Sequence, residues 1–261
     1  RFMISNLYDF NPDCDMTQMW ELRPIDRWAV MKLNELERAC REAYEKYEFH
    51  QVYHAIIKFC VVDMSNFYLD VIKDRLYCDF KYGMSRRAAQ SVMYMILDAM
   101  TRLLTPILAY TSEEIWQFMP HTFTDNRKSV LYNDMPREVT GVDCGVDFEM
   151  TWDRIHAIRD DVQRALEVAR KNKLIGKSLE AVVTLHCDGG LKDFVESVKD
   201  SLEDVFIVSG VKISTAPCDD NPCDVEGLGV SVEVADGAKC ERCWKHSDDV
   251  GSDNEHPTLC R

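Results

Sequence analysis

The chain has 261 residues, 46% of them hydrophobic, and a formal net charge of −14. That length supports one large or two small domains, and no apolar run is long enough to span a membrane. The acidity argues against phosphate contact over the whole surface, although a local basic patch on an acidic protein can bind RNA with little non-specific background. Eleven cysteines are an odd count. Cys14, Cys40, Cys60, Cys78 and Cys187 sit singly in apolar patterns and read as small buried hydrophobes of a reducing cytoplasm rather than as disulfide halves. No signal peptide is visible. The sequence starts at Arg1 and stops at Arg261, one residue after a cysteine, so both ends read as cut and the chain as a fragment.

In chain order, Arg1–Asn11 reads as the end of a helix, broken by the turn formers of Asn11–Asp15. Pro24 suits the first turn of a long helix. Ile25, Ala29, Leu33, Leu36, Cys40, Ala43 and Tyr47 fall three or four apart, one buried stripe, while Lys32, Glu35, Glu37, Arg38, Arg41, Glu42 and Glu45 face water. A second stripe runs Val52, Ala55, Phe59, Val62, Asn66, Phe67 and Val71, and a third Ala88, Val92, Met95, Ala99 and Leu103, interrupted by Thr105-Pro106, which means a kink or a fresh helix start. Thr111 with Glu114 reads as a capping box launching Ile115–Phe118. Such stripes cannot be buried alone, which predicts an antiparallel bundle of four or five helices up to Met119. His121–Asp147 reads as a linker, followed by a helix from about Phe148 to Lys171.

The character changes at Gly176. Ala181–Leu185 reads as a strand and Leu191–Val198 as a short helix, with further strands at Val205–Val208, Val211–Ser214 and Val230–Val234. Gly227-Leu-Gly229 reads as a turn. Residues 237–261 have too few apolar side chains for a core and need a staple. The expected domains are therefore 1–147, bundle with linker; 148–236, a junction helix and small α+β unit; and 237–261, a stapled tail.

Three groupings could carry chemistry. Cys240-Glu-Arg-Cys243, sixteen residues, then Cys260 is three quarters of a tetrahedral zinc site, with His246 or His256 as candidate fourth ligands. A redox CxxC would need a helix N-terminus, which the surroundings do not offer. Arg170-Lys-Asn-Lys173 with Lys177 is basic without an acid, either complementing a helix dipole or holding phosphates. Trp244, beside Arg242 and Lys239, is either a stacking platform for an unpaired base or a lid on the metal. There is no P-loop, no GxGxxG after a strand, no HExxH and no nucleophile–base pairing, so no active site is expected.

Several stretches resemble the helical anticodon-binding domain of class I aminoacyl-tRNA synthetases: Arg1–Leu7, Ile25-Asp-Arg-Trp28, Phe67–Asp70 with Lys73–Tyr77, and Leu104–Leu108 with Ser112–Trp116. Ala165–Arg170 with Ile175–Ala181, and Lys239–Trp244 with Asp249-Val-Gly251 and His256–Cys260, are similar to the bacterial-type isoleucyl enzymes. The resemblance implies a mainly α fold, a helix bundle followed by a small α+β unit and a truncated zinc knuckle. It implies a cytoplasmic, monomeric, non-catalytic piece of a ligase that joins isoleucine to its tRNA with ATP. The class I nucleotide-binding signatures and the editing domain are absent, so no aminoacylation is expected of this piece. Its partner would be the anticodon stem-loop of isoleucine tRNA, with Arg1, Phe2, Asn6, Lys171, Lys173, Lys177, Lys239, Arg242 and Trp244 as contacts. One zinc ion is implied on Cys240, Cys243 and Cys260, the family's last cysteine lying outside the sequence. The competing readings are a helical protein-interaction scaffold, a thiol-redox enzyme at Cys240/Cys243, or the same region of a valyl or leucyl enzyme.

Overall fold

The structure, a computed structural model, describes residues 1–142, 144–218 and 221–260; Arg261 lies outside them. The chain forms two compact units, Arg1–Val146 and Asp147–Arg261.

The first unit is helical because its sequence alternates apolar stripes with charge at the helical period. A short α1, Phe2–Asn6, precedes the long α2, Pro24–Glu45. Proline opens α2 where no N–H is required. The expected stripe is buried from Ile25 to Ala43, broadened by Trp28, Val30 and Met31. Tyr47 departs from it: it lies past the helix end in left-handed backbone (φ 57°) and is 80% exposed. Glu37 departs too, buried rather than wet, and bonded by Arg41 at 2.8 Å.

The second stripe does not continue as one α-helix. After α3, Phe49–Lys58, ten residues from Phe59 to Tyr68 wind as a π-helix, followed by α4, Leu69–Val71, and α5, Lys73–Cys78. Wider turns lengthen the side-chain period beyond 3.6. Phe59, Met64, Phe67 and Tyr68 therefore face inward, while Val62 and Asn66, expected inside, face outward.

α6, Met84–Leu104, is buried on almost every side and forms the axis of the unit. It stops before Pro106. α7, Ala109–Phe118, begins before the expected capping box, and no side chain caps it. Glu113 instead receives bonds from Ser129 Oγ and the Val130 N–H, at 2.8 and 3.1 Å. The stretch that follows is irregular but fastened: Asn34 exchanges two hydrogen bonds with the Val139 backbone, and Arg38 pairs with Glu138. No helix among the described residues is long and apolar enough to cross a membrane.

Buried ion pairs tie these helices together. Asp26, fully buried in the first turn of α2, receives Arg75 Nη1 at 2.9 Å, Nη2 at 2.7 Å and the Tyr68 hydroxyl at 2.8 Å. Arg75 also reaches Ser85 at the start of α6. Burial, reinforced by the Asp26 carboxylate, holds the Tyr68 hydroxyl well above its ordinary pKa. One residue on, Arg86 grips Asp9 at 2.9 and 3.1 Å, and Gln90 donates to Asp9 and to the Asn6 carbonyl, both at 2.8 Å. This fixes the end of α1. Burial opposes ionisation of Asp9, but the bonds from Arg86 and Gln90 outweigh it and set its carboxyl below the usual range.

The second unit starts on α8, Val146–Lys171, with Trp152, Ile155, Ile158, Val162, Leu166 and Ala169 buried as expected. β1, Ala181–His186, is central in a three-stranded sheet: β2, Gly210–Ser214, pairs with it in parallel and β3, Gly229–Val234, antiparallel. The parallel pair requires a crossover. That crossover is α9, Gly189–Phe206, much longer than expected, and the strand expected at Val205–Val208 is instead its end and the turn that follows. Val195, Leu202, Val205 and Phe206 form its buried face, which the β-branched content concealed. Ile207 ends it in left-handed backbone (φ 58°), with its N–H on Asp204 O and that of Val208 on Glu203 O. Lastly β4, Ala238–Lys239, and β5, His246–Ser247, pair as a hairpin. Gly237, at φ 86°, must be glycine, since a Cβ would lie 2.4 Å from the Ser247 carbonyl carbon.

The eleven cysteines carry no disulfide. Burial raises the Cys40 thiol to about 11 and also raises Cys60 and Cys187; Cys40 and Cys187 are buried as expected, but Cys60 and Cys78 are only partly so and Cys14, in the turn after Asn11, is exposed.

Two outcomes follow. Asp26→Ala, which strands a buried guanidinium, is expected to lower the unfolding free energy by about 3–5 kcal/mol, and Asp26→Leu with Arg75→Met by clearly less, read by urea titration. Asp9, its pKa depressed on folding, contributes fully above the ordinary carboxylate value of about 3.9 and loses that contribution as pH falls through the folded value. Stability measured from pH 5 to 2 should fall less steeply in Asp9→Asn.

Candidate nucleic-acid interface and metal centre

The tail is arranged around sulfur. The hairpin β4–β5 encloses the turn Cys240–Lys245, closed by the Cys240 N–H on Lys245 O at 2.9 Å and the Trp244 N–H on Cys240 O at 3.0 Å. The returning chain docks through the Glu241 N–H on Thr258 O at 3.1 Å, which brings Cys260 to the turn. The ligand atoms of Cys240, Cys243 and Cys260 then all lie within 4.8 Å of one another, with Cys243 Sγ and Cys260 Sγ 3.6 Å apart. Neither His246 nor His256 joins this cluster; His246 Nδ1 lies 3.4 Å from Gly237 O.

The sulfurs fit a zinc ion. Burial opposes ionisation of Cys240, yet N–H donors of Cys243, Cys260 and Arg242 bring its thiol down to about 6. Burial pushes Cys243 up to about 12, and burial with the neighbouring Cys240 raises Cys260. Three sulfur donors within 4.8 Å of one another, two of them from a two-residue-spaced pair, are the ligand type and spacing of a structural zinc site. A redox CxxC also wants one acidic thiol, but this pair lies in a hairpin turn, with a third sulfur beside it and no helix N-terminus. The cluster supplies three of the four ligands of a structural zinc.

Trp244 follows directly. It has φ 66°, a region that bulky side chains seldom occupy, and the residue is 51% exposed. Lys177 Nζ lies 4.8 Å and Lys239 Nζ 5.5 Å from the centre of its ring, within cation–π range. Lys177 reaches it from the turn Ser178–Glu180, whose Glu180 carboxylate accepts the Gly176 N–H at 2.7 Å. Three of the sequence candidates thus converge. The Arg242 N–H donates to Cys240 Sγ at 3.4 Å, which joins that residue to the metal turn.

The other candidates lie elsewhere. Lys171 lines a cleft of 440 Å³ with Gln163, Arg164 and Glu167. Lys173 is exposed just past α8 in left-handed backbone (φ 58°); its N–H reaches Arg170 O and that of Leu174 reaches Ala169 O, a helix stop usually made by glycine. Arg1, exposed, and Phe2 and Asn6, partly buried, belong to the first unit, and the Asn6 amide donates to Phe2 O at 2.9 Å. The sequence reading missed the turn at Glu180 that presents Lys177. Its only trace was an acid four residues after Gly176.

Comparison with known proteins agrees with this picture. The family described as the anticodon-binding domain of tRNA ligase matches residues 26–185, and the zinc finger found in FPG and IleRS matches residues 237–261. Isoleucine–tRNA ligase of Desulforamulus reducens is 48% identical over 263 aligned positions, and those of Thermoanaerobacter sp. and Bacillus cytotoxicus are each 44% identical, over 264 and 263. Each alignment covers all of this chain and 28% of the relative, so the chain spans little more than a quarter of the length of these proteins.

Cys240→Ser is expected to lower zinc content measured by atomic emission and to abolish hydrogen-exchange protection in residues 237–260, while α6 and α8 keep theirs. With the helical match covering more than half of its residues and a zinc-finger match on its tail, the chain belongs to the family of anticodon-binding domains of tRNA ligases.

Proposed function

We propose that this chain recognises the anticodon stem-loop of isoleucine tRNA, as the RNA-gripping part of an isoleucine–tRNA ligase whose ATP-dependent aminoacylation is carried out by other parts of that enzyme. The observation that carries this reading is the indole of Trp244, half exposed with Lys177 and Lys239 beside it. An aromatic face accepts an unpaired base whatever its identity, and the two ammonium groups suit the phosphates on either side of that base. Exposure of so large a ring in left-handed backbone opposes stability, and such a conformation is more readily understood as display than as packing. Arg242 would add a guanidinium at the same turn. Lys171 and Lys173 would hold phosphates beyond the end of α8, and Arg1, Phe2 and Asn6 would form a separate contact on the helical unit. Convergence of cations on one ring favours RNA over a protein-binding scaffold, for which an even spread of charge would suffice.

Cys240, Cys243 and Cys260 would hold a zinc ion that pins the turn carrying Arg242 and Trp244, a structural part with no chemical step. The mechanism is one of fit: a preformed stacking surface avoids the ordering cost a floppy tail would incur on binding.

Titration of the zinc-loaded chain with the isoleucine anticodon stem-loop tests this. Trp244→Ala should weaken binding by about 1–3 kcal/mol. Lys177→Gln should reduce the slope of log affinity against log salt by about one. Equal affinity for stem-loops with scrambled anticodons would remove the claim of recognition.

A further inference from the structure

Lys177 and Trp244 are far apart in sequence, and one hydroxyl bonds to the backbone beside both. Ser209 Oγ donates to the Leu179 carbonyl, two residues after Lys177, and accepts the His246 N–H at 2.8 Å, two residues after Trp244. The Ser209 backbone is itself anchored, its N–H on Ala181 O at 3.0 Å where β1 begins. The left-handed turn at Ile207 swings the chain from α9 toward β2 and delivers Ser209 to this junction. A salt bridge also joins the knuckle to α9, Lys245 Nζ to Asp204 Oδ1 at 3.1 Å, but it spans two flexible side chains that are 24% and 39% exposed and a pair of that kind holds geometry weakly.

We infer that Ser209 is the positioning residue of the stacking surface: its hydroxyl sets the distance between the Lys177 ammonium and the Trp244 indole by fastening the two backbone segments that carry them. It touches no RNA itself. Both of its polar functions are used, donation to one segment and acceptance from the other, so only a side chain with a hydroxyl at the β-carbon can replace it. Alanine removes both bonds at once and leaves the zinc cluster, which Ser209 does not contact, to hold the turn without fixing its distance from Lys177. The inference rests on the proposed RNA reading for its consequence but not for its geometry.

The test uses the whole chain, zinc-loaded and labelled with 5-fluorotryptophan, with the Trp244 resonance assigned by Trp244→Phe. In Ser209→Ala without RNA, that resonance should shift or broaden while zinc stoichiometry stays at its wild-type value and the tail residues 237–260 keep their hydrogen-exchange protection; the unfolding midpoint should fall only by the worth of one or two hydrogen bonds. Affinity for the isoleucine anticodon stem-loop should fall about three- to tenfold, the worth of one or two hydrogen bonds. Ser209→Thr should restore both signal and affinity. An unmoved Trp244 resonance in Ser209→Ala overturns the inference, as does failure of threonine to restore it. Loss of zinc, or loss of hydrogen-exchange protection throughout residues 237–260, in Ser209→Ala overturns it too, because Ser209 would then be a folding residue. If Trp244→Ala binds the stem-loop like wild type, the RNA reading fails, while the fluorine signal still decides the role of Ser209.

Discussion

A guanidinium and a carboxylate removed together from water hold the helical unit in register. Asp26 and Arg75 are each too costly to bury alone, so α2 and α5 must meet where both are satisfied. The same end of α6 collects the other fixed charges, for Ser85, Arg86 and Arg87 are consecutive and reach Arg75, Asp9 and the Asp9 carbonyl in turn. Three neighbouring residues therefore decide where α1, α2 and α5 lie on the central helix. Apolar stripes alone would allow those helices to slide or rotate; paired charges at defined atoms do not.

The knuckle meets the opposite difficulty. It has almost no apolar surface to bury, so its order comes from a few directional contacts: three sulfurs, a glycine at Gly237 that lets strands approach, a serine between two backbone segments and a lysine–aspartate tie. Such a segment can expose a large aromatic ring without losing a core, because it has no core to lose. The helical unit is thus ordered by its core and its buried charges, and the knuckle by a few directional contacts.

Much of this was legible in the residues. The stripes of α2, α6 and α8, the proline that opens α2, β1 to β3 and the cysteine pair with its distant third all follow from the residues. The exceptions have physical causes. The π segment changes the period, so Val62 and Asn66 were assigned to the wrong side. The β-branched end of α9 resembled a strand because burial against a sheet and burial within one demand the same side chains. At the interface, residue types pointed to Trp244 and the lysines, but their convergence depends on left-handed backbone at a tryptophan and on a hydroxyl thirty residues from one of the segments it fastens. Left-handed turns are usually read from glycine, and here glycine is not the residue used.

That last choice bears on how the protein could be improved in the laboratory. Lys173 and Trp244 both occupy conformations in which a residue without a β-carbon would be more comfortable. A search for heat-resistant variants that rewards folding alone would drift toward glycine at both positions. The sturdier molecules it returned would have traded away the exposed ring and one of the cations proposed to meet RNA.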